Sequence, residues 1–255
     1  MEGLNKSFKK FLLLWSGELI SAIGSGLTSF GLGIYVYQQT GRVSSTALIT
    51  LLAFLPSLLL SPIAGVLADR YDRRLLMILG DSLSALGLIY ILICMINGEA
   101  TLYPIAIGVT ISSIFSSLLE PAYKATITDL LTKEEFSKAS GLVQIAGSSK
   151  FLISPILAGF LLSFSNIKLL LIIDICTFFV TVTATLIVRK GLQSKAIEKK
   201  ESLTSEFKEG WKAITSNKGI FTLVILGSIL TLCLGIIQTL ATPMILSFSN
   251  ATTLG

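Results

Sequence analysis

The chain of 255 residues is 52% hydrophobic and only 14% charged, with a mean hydropathy of +0.80, where a soluble domain carries about 25% charged residues. Apolar runs longer than about 18 residues recur along it, each enough to cross a bilayer, and they exclude a soluble globular protein. With no histidine in the chain, imidazole metal sites, Ser-His-Asp triads and Cys-His dyads are excluded as well.

Seven apolar segments follow in order: residues 11–37, 44–68, 75–97, 102–123, 141–164, 169–188 and 219–248. Each is long enough to span as a helix, and the runs are continuous instead of alternating with period two, so they predict an all-α bundle and not an outer-membrane barrel. The first follows Lys6, Lys9 and Lys10 but is too long for a signal-peptide core and has no A-x-A cleavage site, so it reads as the first membrane helix. Cys94, Cys176 and Cys233 fall singly inside apolar stretches. They form no disulfide framework or CxxC motif and read as small buried hydrophobes.

Seventeen of the 20 Lys and Arg residues fall at the amino terminus or in alternate loops, leaving Arg42 and Lys168 on the other side and Lys150 within a span. By the positive-inside rule the amino terminus is cytoplasmic. The net charge of +5 is then a consequence of topology, and no nucleic-acid partner is implied. The segments divide into a six-helix bundle (residues 1–188), a charged cytoplasmic linker (189–218) and a seventh helix with the start of an outer loop (219–255). Within the linker Leu203, Phe207, Trp211 and Ile214 recur at helical spacing, with Lys208, Glu209 and Lys212 on other faces, the pattern of either an interfacial helix or a solvated linker with a short packed helix. Before the fifth span, Thr132 and Glu135 form a capping-box pair and Leu131 and Phe136 a hydrophobic staple, which start that helix near Lys133.

Between the second and third spans runs Gly65-Val66-Leu67-Ala68-Asp69-Arg70-Tyr71-Asp72-Arg73-Arg74, a short turn of alternating charge that can latch helix ends. It resembles the signature loop of the major facilitator superfamily, with Asp72 where that family has a small residue. Leu14-Trp15-Ser16-Gly17 with Ser21 and Gly24, Val36-Tyr37 with Thr40-Gly41, and Glu120-Pro121-Ala122 followed by Ile127-Thr128-Asp129-Leu130-Leu131 are similar to the drug-exporter branch of macrolide efflux proteins and siderophore exporters. In the fifth span Gly147, Pro155 and Gly159 are similar to the antiporter motif, with Ser154 where a glycine is usual. The resemblance implies a multi-pass protein of the bacterial cytoplasmic membrane with twelve helices in two halves, a substrate site between the halves, and alternating access by rocking. It implies proton-coupled export of a lipophilic drug-like or macrolide-like small molecule, with the bilayer, the substrate and protons as partners and no cofactor or metal. Because the sequence stops after the seventh span, the expectation is a truncated second half. The signature loop then lacks its usual partner, and the alternative is a chain that does not transport alone or works with a partner chain. No enzyme is expected, because no nucleophile–base pair or metal constellation lies in the spans.

An ionisable residue at a helix centre costs roughly 2.5 to 3.5 kcal/mol on insertion scales, which singles out Glu18, Asp81, Glu120, Lys150 and Asp174. The resemblance places the first, fourth and fifth helices around the cavity, making Glu18, Glu120 and Lys150 its candidates, with Glu18 first and Glu120 second as proton carriers. Lys150 is either a cavity residue or a structural counter-charge for Glu18 or Asp81. Asp81 reads as structural, Glu120 as either cavity-lining or hydrated, and Asp174 as interfacial near the outer face. Trp15, Tyr35, Tyr123, Gln144 and Gln238 are wall candidates for substrate, with packing as the plainer explanation for each.

Overall fold

The structure, a computed structural model, describes residues 6–98, 100–189, 211, 212 and 214–246, with the side chains of 238, 239, 242, 243 and 246 outside that set. The helices are α1 (Lys6–Thr40), α2 (Val43–Arg70), α3 (Arg73–Ile96), α4 (Leu102–Ser116), α5 (Leu119–Leu130), α6 (Lys133–Phe164), α7 (Ile167–Arg189) and α8 (Lys218–Leu246). There is no strand among the described residues. Seven helices are long and apolar enough to cross a membrane, α4 and α5 together forming one span, Leu102–Leu130. The chain is an all-α membrane protein.

Most helices outrun their apolar segments by a few residues at one or both ends, because polar and basic residues can continue a helix once it leaves the hydrocarbon. The fourth span departs most from expectation: it runs to Leu130, not Tyr123, and is interrupted at Ser117 and Leu118. Pro121 explains the interruption, since it has no N–H to give the carbonyl four residues back, at Ser117, and its ring crowds that oxygen. At the start of α6 the capping box forms as read from sequence: Glu135 N donates to Thr132 Oγ1 at 3.3 Å, and Thr132 N to Glu135 Oε2 at 3.1 Å. In the linker, Leu203, Phe207, Lys208 and Glu209 lie outside the described residues, while Trp211 is exposed on a short helical stretch.

Helix α1 is the centre of the bundle, packed along α7 and α6; α3 bridges α7 and α4, α2 lies on α4, and α8 makes a few contacts with α1 and α2. Gly17, Gly24 and Gly31 face α7 at intervals of seven residues, the spacing that keeps small residues on one seam. The interior holds two apolar cores. One, at the end bearing Arg70, Arg73 and Arg74, gathers Phe11, Leu14, Met77, Tyr123, Ala139 and Val188. The other, at the opposite end, gathers Leu27, Leu32, Ile91, Ile105, Leu170 and Leu171.

Outward faces are apolar too, with Leu58, Leu59, Leu152 and Phe160 exposed. In water such a surface would aggregate, whereas lipid solvates it as well as a core would. The same reasoning corrects the reading of the cysteines. Cys94 is buried, but Cys176 and Cys233 are exposed on outer faces, where lipid satisfies an apolar thiol without burial in protein.

Candidate functional site

Between the two apolar cores α1, α3, α4, α6 and α7 change chemistry at about the same height. Glu18, Ser21 and Ser25 on α1, Asp81 and Ser84 on α3, Ser112, Ser113 and Ser116 on α4, Ser149, Lys150 and Ser154 on α6, and Asp174, Thr177 and Thr181 on α7 make a polar belt. Without water, buried polar groups here require internal partners, and the belt supplies many of them. Ser25 Oγ donates to Asp174 Oδ1 at 3.3 Å, Thr181 Oγ1 to the Gly17 carbonyl at 3.4 Å, and Ser154 Oγ to the Ile23 carbonyl at 3.0 Å.

The ionisable residues singled out from sequence meet only in part. Glu18 and Lys150 are half-buried on facing sides of the α1–α6 contact, and Lys150 interacts electrostatically with Asp174 first and Glu18 second. The interaction acts across a gap, since the direct ion pairs among the described residues involve other groups. Asp174 is 1% exposed, which corrects the interfacial reading: the seam of small residues lets α7 approach so closely that a Cβ on Gly24 would lie 3.0 Å from Asp174 Oδ1. Of the two acids proposed to neutralise Lys150, Glu18 is the one coupled to it, and Asp81 instead lies near Glu18 and Asp174. Glu120 is exposed at the start of α5, held by Lys124 at 2.6 Å.

Among the wall candidates, Trp15 Nε1 donates to the Leu142 carbonyl at 2.6 Å and Tyr35 Oη to the Ala100 carbonyl at 3.3 Å, so both serve packing between spans. Tyr123 is buried, Gln144 is exposed, and the side chain of Gln238 lies outside the described residues. In the fifth span's motif, Gly147 faces open space, Pro155 sits within the unbroken α6 and Gly159 is buried.

At the basic end Arg73 is the hub. Its guanidinium donates to the Ala68 and Ala125 carbonyls, both at 3.0 Å, and pairs with Asp129 at 2.8 Å and Asp69 at 3.5 Å, tying the end of α2, the start of α3 and the end of α5. Asp72, the departure from the family pattern, has an ordinary backbone (φ −60°) that needs no glycine, and it caps α3 by accepting from Arg74 N at 3.0 Å. Its other oxygen pairs with Arg189 at 3.3 Å, so the aspartate adds a link to the end of α7. Gly65 and Asp69 line a pocket of about 500 Å³ with Pro121, Lys124, Phe136 and Val143, between α2, α5 and α6. Arg73→Ala is expected to destabilise the protein by about 2 to 4 kcal/mol, since it strips a fan of charge-assisted bonds. Arg73→Lys should fall between, because a point charge cannot reproduce the fork. Thermal melts of the detergent-solubilised protein read both.

The belt hydroxyls and the pairing of Asp129 with Arg73 are features of the site that weighing the charged residues inside the spans passes over. The available signal is the recurrence of Ser and Thr at three- or four-residue steps inside apolar runs, as at Ser112, Ser113, Ser116 and Ser117 or Thr177, Thr181 and Thr185.

The described residues thus form a bundle of spanning helices with charges at mid-height and linked ion pairs at one end, the architecture of a multi-pass membrane protein. The chain belongs to the Major Facilitator Superfamily, whose family model matches residues 14–255. Macrolide efflux protein A of Streptococcus pyogenes is 28% identical over 230 residues, 90% of this chain and 57% of that protein. Macrolide efflux protein A of Enterococcus faecalis is 29% identical over 181 residues, 71% and 56% respectively. The uncharacterised MFS-type transporter YfiS of Bacillus subtilis is 26% identical over 256 residues, 97% and 59% respectively. The chain thus spans a little over half the length of these relatives.

Proposed function

We propose that this chain serves proton-coupled export of a lipophilic, macrolide-like small molecule by alternating access, with its basic end and amino terminus in the cytoplasm. The observation that carries the reading is the family match over residues 14–255, joined to an acid and a base, Glu18 and Lys150, half-buried and coupled in the bundle. The names of the macrolide relatives support the substrate class, and the bias of Lys and Arg to alternate loops supports the orientation. In this reading Glu18 exchanges protons with the cavity, Lys150 sets its charge state, and Glu120 is the second carrier. The loop from Gly65 to Arg74 acts as the cytoplasmic gate, and Gly147, Pro155 and Gly159 shape the fifth span. A second reading is that the chain acts only with another transporter chain.

Expression in a macrolide-sensitive bacterium tests both. The first reading expects lower macrolide accumulation, abolished by a protonophore and reduced at least about tenfold by Glu18→Gln, a loss in the range of general acid–base groups. Efflux unchanged by Glu18→Gln overturns the assignment of Glu18. Efflux appearing only on co-expression of a full-length relative favours the second reading.

A further inference from the structure

Asp81 has no role in the reading above, yet its surroundings are specific. The residue is 1% exposed, and neither carboxylate oxygen has a hydrogen-bond partner among the described residues. A bare buried carboxylate is among the costliest arrangements in a membrane interior. Its level in the bundle is that of the interruption between α4 and α5: a Cβ on the adjacent Gly80 would lie 3.1 Å from the Phe115 carbonyl and 3.0 Å from Leu119 Cδ2.

The interruption frees backbone oxygens. Pro121 has no N–H for the Ser117 carbonyl, and no backbone N–H reaches the Ser116 or Ser117 carbonyl among the described residues. One turn along α3 from Asp81, the buried Ser84 Oγ lies 2.9 Å from Ser112 Oγ and 3.0 Å from Ser116 Oγ. Hydroxyls and main-chain carbonyls thus lie one turn from an unpartnered carboxylate, and oxygen groups of these kinds are those that hold hard cations. Interrupted membrane helices offer unwound carbonyls in the same way.

Charge points the same way. The belt contains three acids, Glu18 on α1, Asp81 on α3 and Asp174 on α7, against one base, Lys150 on α6; Tyr123 on α5 faces Glu18, and α4 brings only hydroxyls at this height. With all four charged, two negative charges have no counterpart inside the bundle, an excess that burial penalises. Among the described residues no three acidic, histidine or cysteine side chains converge as a metal cluster, and a single carboxylate at the junction matches a single positive charge.

We propose that the α3–α4 junction is a binding site for a monovalent cation, a proton or Na⁺, with Asp81 as its charged ligand and Ser84, Ser112, Ser116 and the freed carbonyls of the interruption completing it. Its ligands differ from the Glu18 and Lys150 pair, although Asp81 shares the belt's charge with Glu18 and Asp174, and its test reads binding, so its failure leaves the efflux reading standing.

The experiment is thermal unfolding of the purified full chain in detergent, with NaCl exchanged for choline chloride at constant ionic strength, and then across a pH series without Na⁺. A Na⁺ site raises the melting temperature by about 3–6 °C per tenfold rise in Na⁺ above the dissociation constant, and Asp81→Asn abolishes the rise. A proton site shows no Na⁺ effect but gains stability on acidification, and Asp81→Asn reduces that gain more than Glu18→Gln does. If Asp81→Asn does not accumulate, the Ser84→Ala, Ser116→Ala double variant carries the test: it keeps the charge, strips ligands, and must weaken Na⁺ binding or move the acid midpoint. Wild-type stability indifferent to both Na⁺ and pH, or a response that these variants leave unaltered, overturns the proposal.

Discussion

Gly87→Ala is expected to destabilise the bundle by about 3 kcal/mol, and Gly87→Leu to prevent accumulation in the membrane. The seam between α3 and α4 is backbone against backbone. A Cβ on Gly87 would collide with the Gly108 carbonyl oxygen and lie 2.7 Å from Ser112 N, and one on Gly108 would lie 2.6 Å from the Gly87 carbonyl and collide with Ile91. Side chains can rotate away from a new methyl, but a main-chain carbonyl moves only if its helix does, so even Ala adds the overpacking cost of about 1–3 kcal/mol and loosens neighbouring contacts. The separation would also pull Ser84 from Ser112 and Ser116. Leu86→Ala, one residue away on an exposed face, controls for helix propensity and should change little. Melting temperature and membrane abundance read the series, and Gly87→Ala with wild-type stability would mean that α3 and α4 are not in backbone contact.

The spans were legible because lipid leaves little choice: continuous apolar runs become helices wherever the backbone must satisfy itself. The capping box at Thr132 and Glu135 was legible for a local reason, both partners lying within one turn. What the sequence concealed is relational. Nothing local tells Asp174 from an interfacial acid, since its burial depends on Gly24 and Ser25, 149 residues away in the case of the Ser25 bond. Asp129 becomes the partner of Arg73 only once α5 returns beside α3. Pro121 carries a signal for the break in the fourth span that the reading of one apolar run over 102–123 does not use, and because a proline also fits a helix's first turn, it does not by itself tell an end from a restart. The site followed the same division: Glu18 and Lys150 stood out as charges in apolar runs, while the hydroxyls around them resembled the small residues that pack any membrane helix.

Gly26→Ala is expected to be nearly as damaging as Gly87→Ala and, unlike it, partly reversible by a second substitution. The antiporter-like motif of the fifth span leads one to expect a glycine where Ser154 stands, and the structure shows what makes room for the serine. A Cβ on Gly26 would collide with Ser154 Oγ, lie 2.5 Å from Ser154 Cβ and 2.7 Å from the Lys150 carbonyl. Ser154 in turn is fully buried and donates to the Ile23 carbonyl at 3.0 Å. Bulk has thus been placed on α6 against a glycine on α1, and the hydroxyl recovers a hydrogen bond from the exchange. Ser154→Gly alone should cost about 1–2 kcal/mol, from the lost bond and the glycine's freedom in a helix. In the Gly26→Ala background it should restore part of the stability, because two of the three obstacles vanish while the Lys150 carbonyl remains. A double variant less stable than the sum of the single ones would refute this complementarity. The consequence extends to transport, because Lys150 sits one turn from Ser154 on the same helix. A displaced α6 moves the ammonium relative to both Glu18 and Asp174, so under the efflux reading Gly26→Ala should lose activity beyond what its reduced abundance explains, and Ser154→Gly should return some of it.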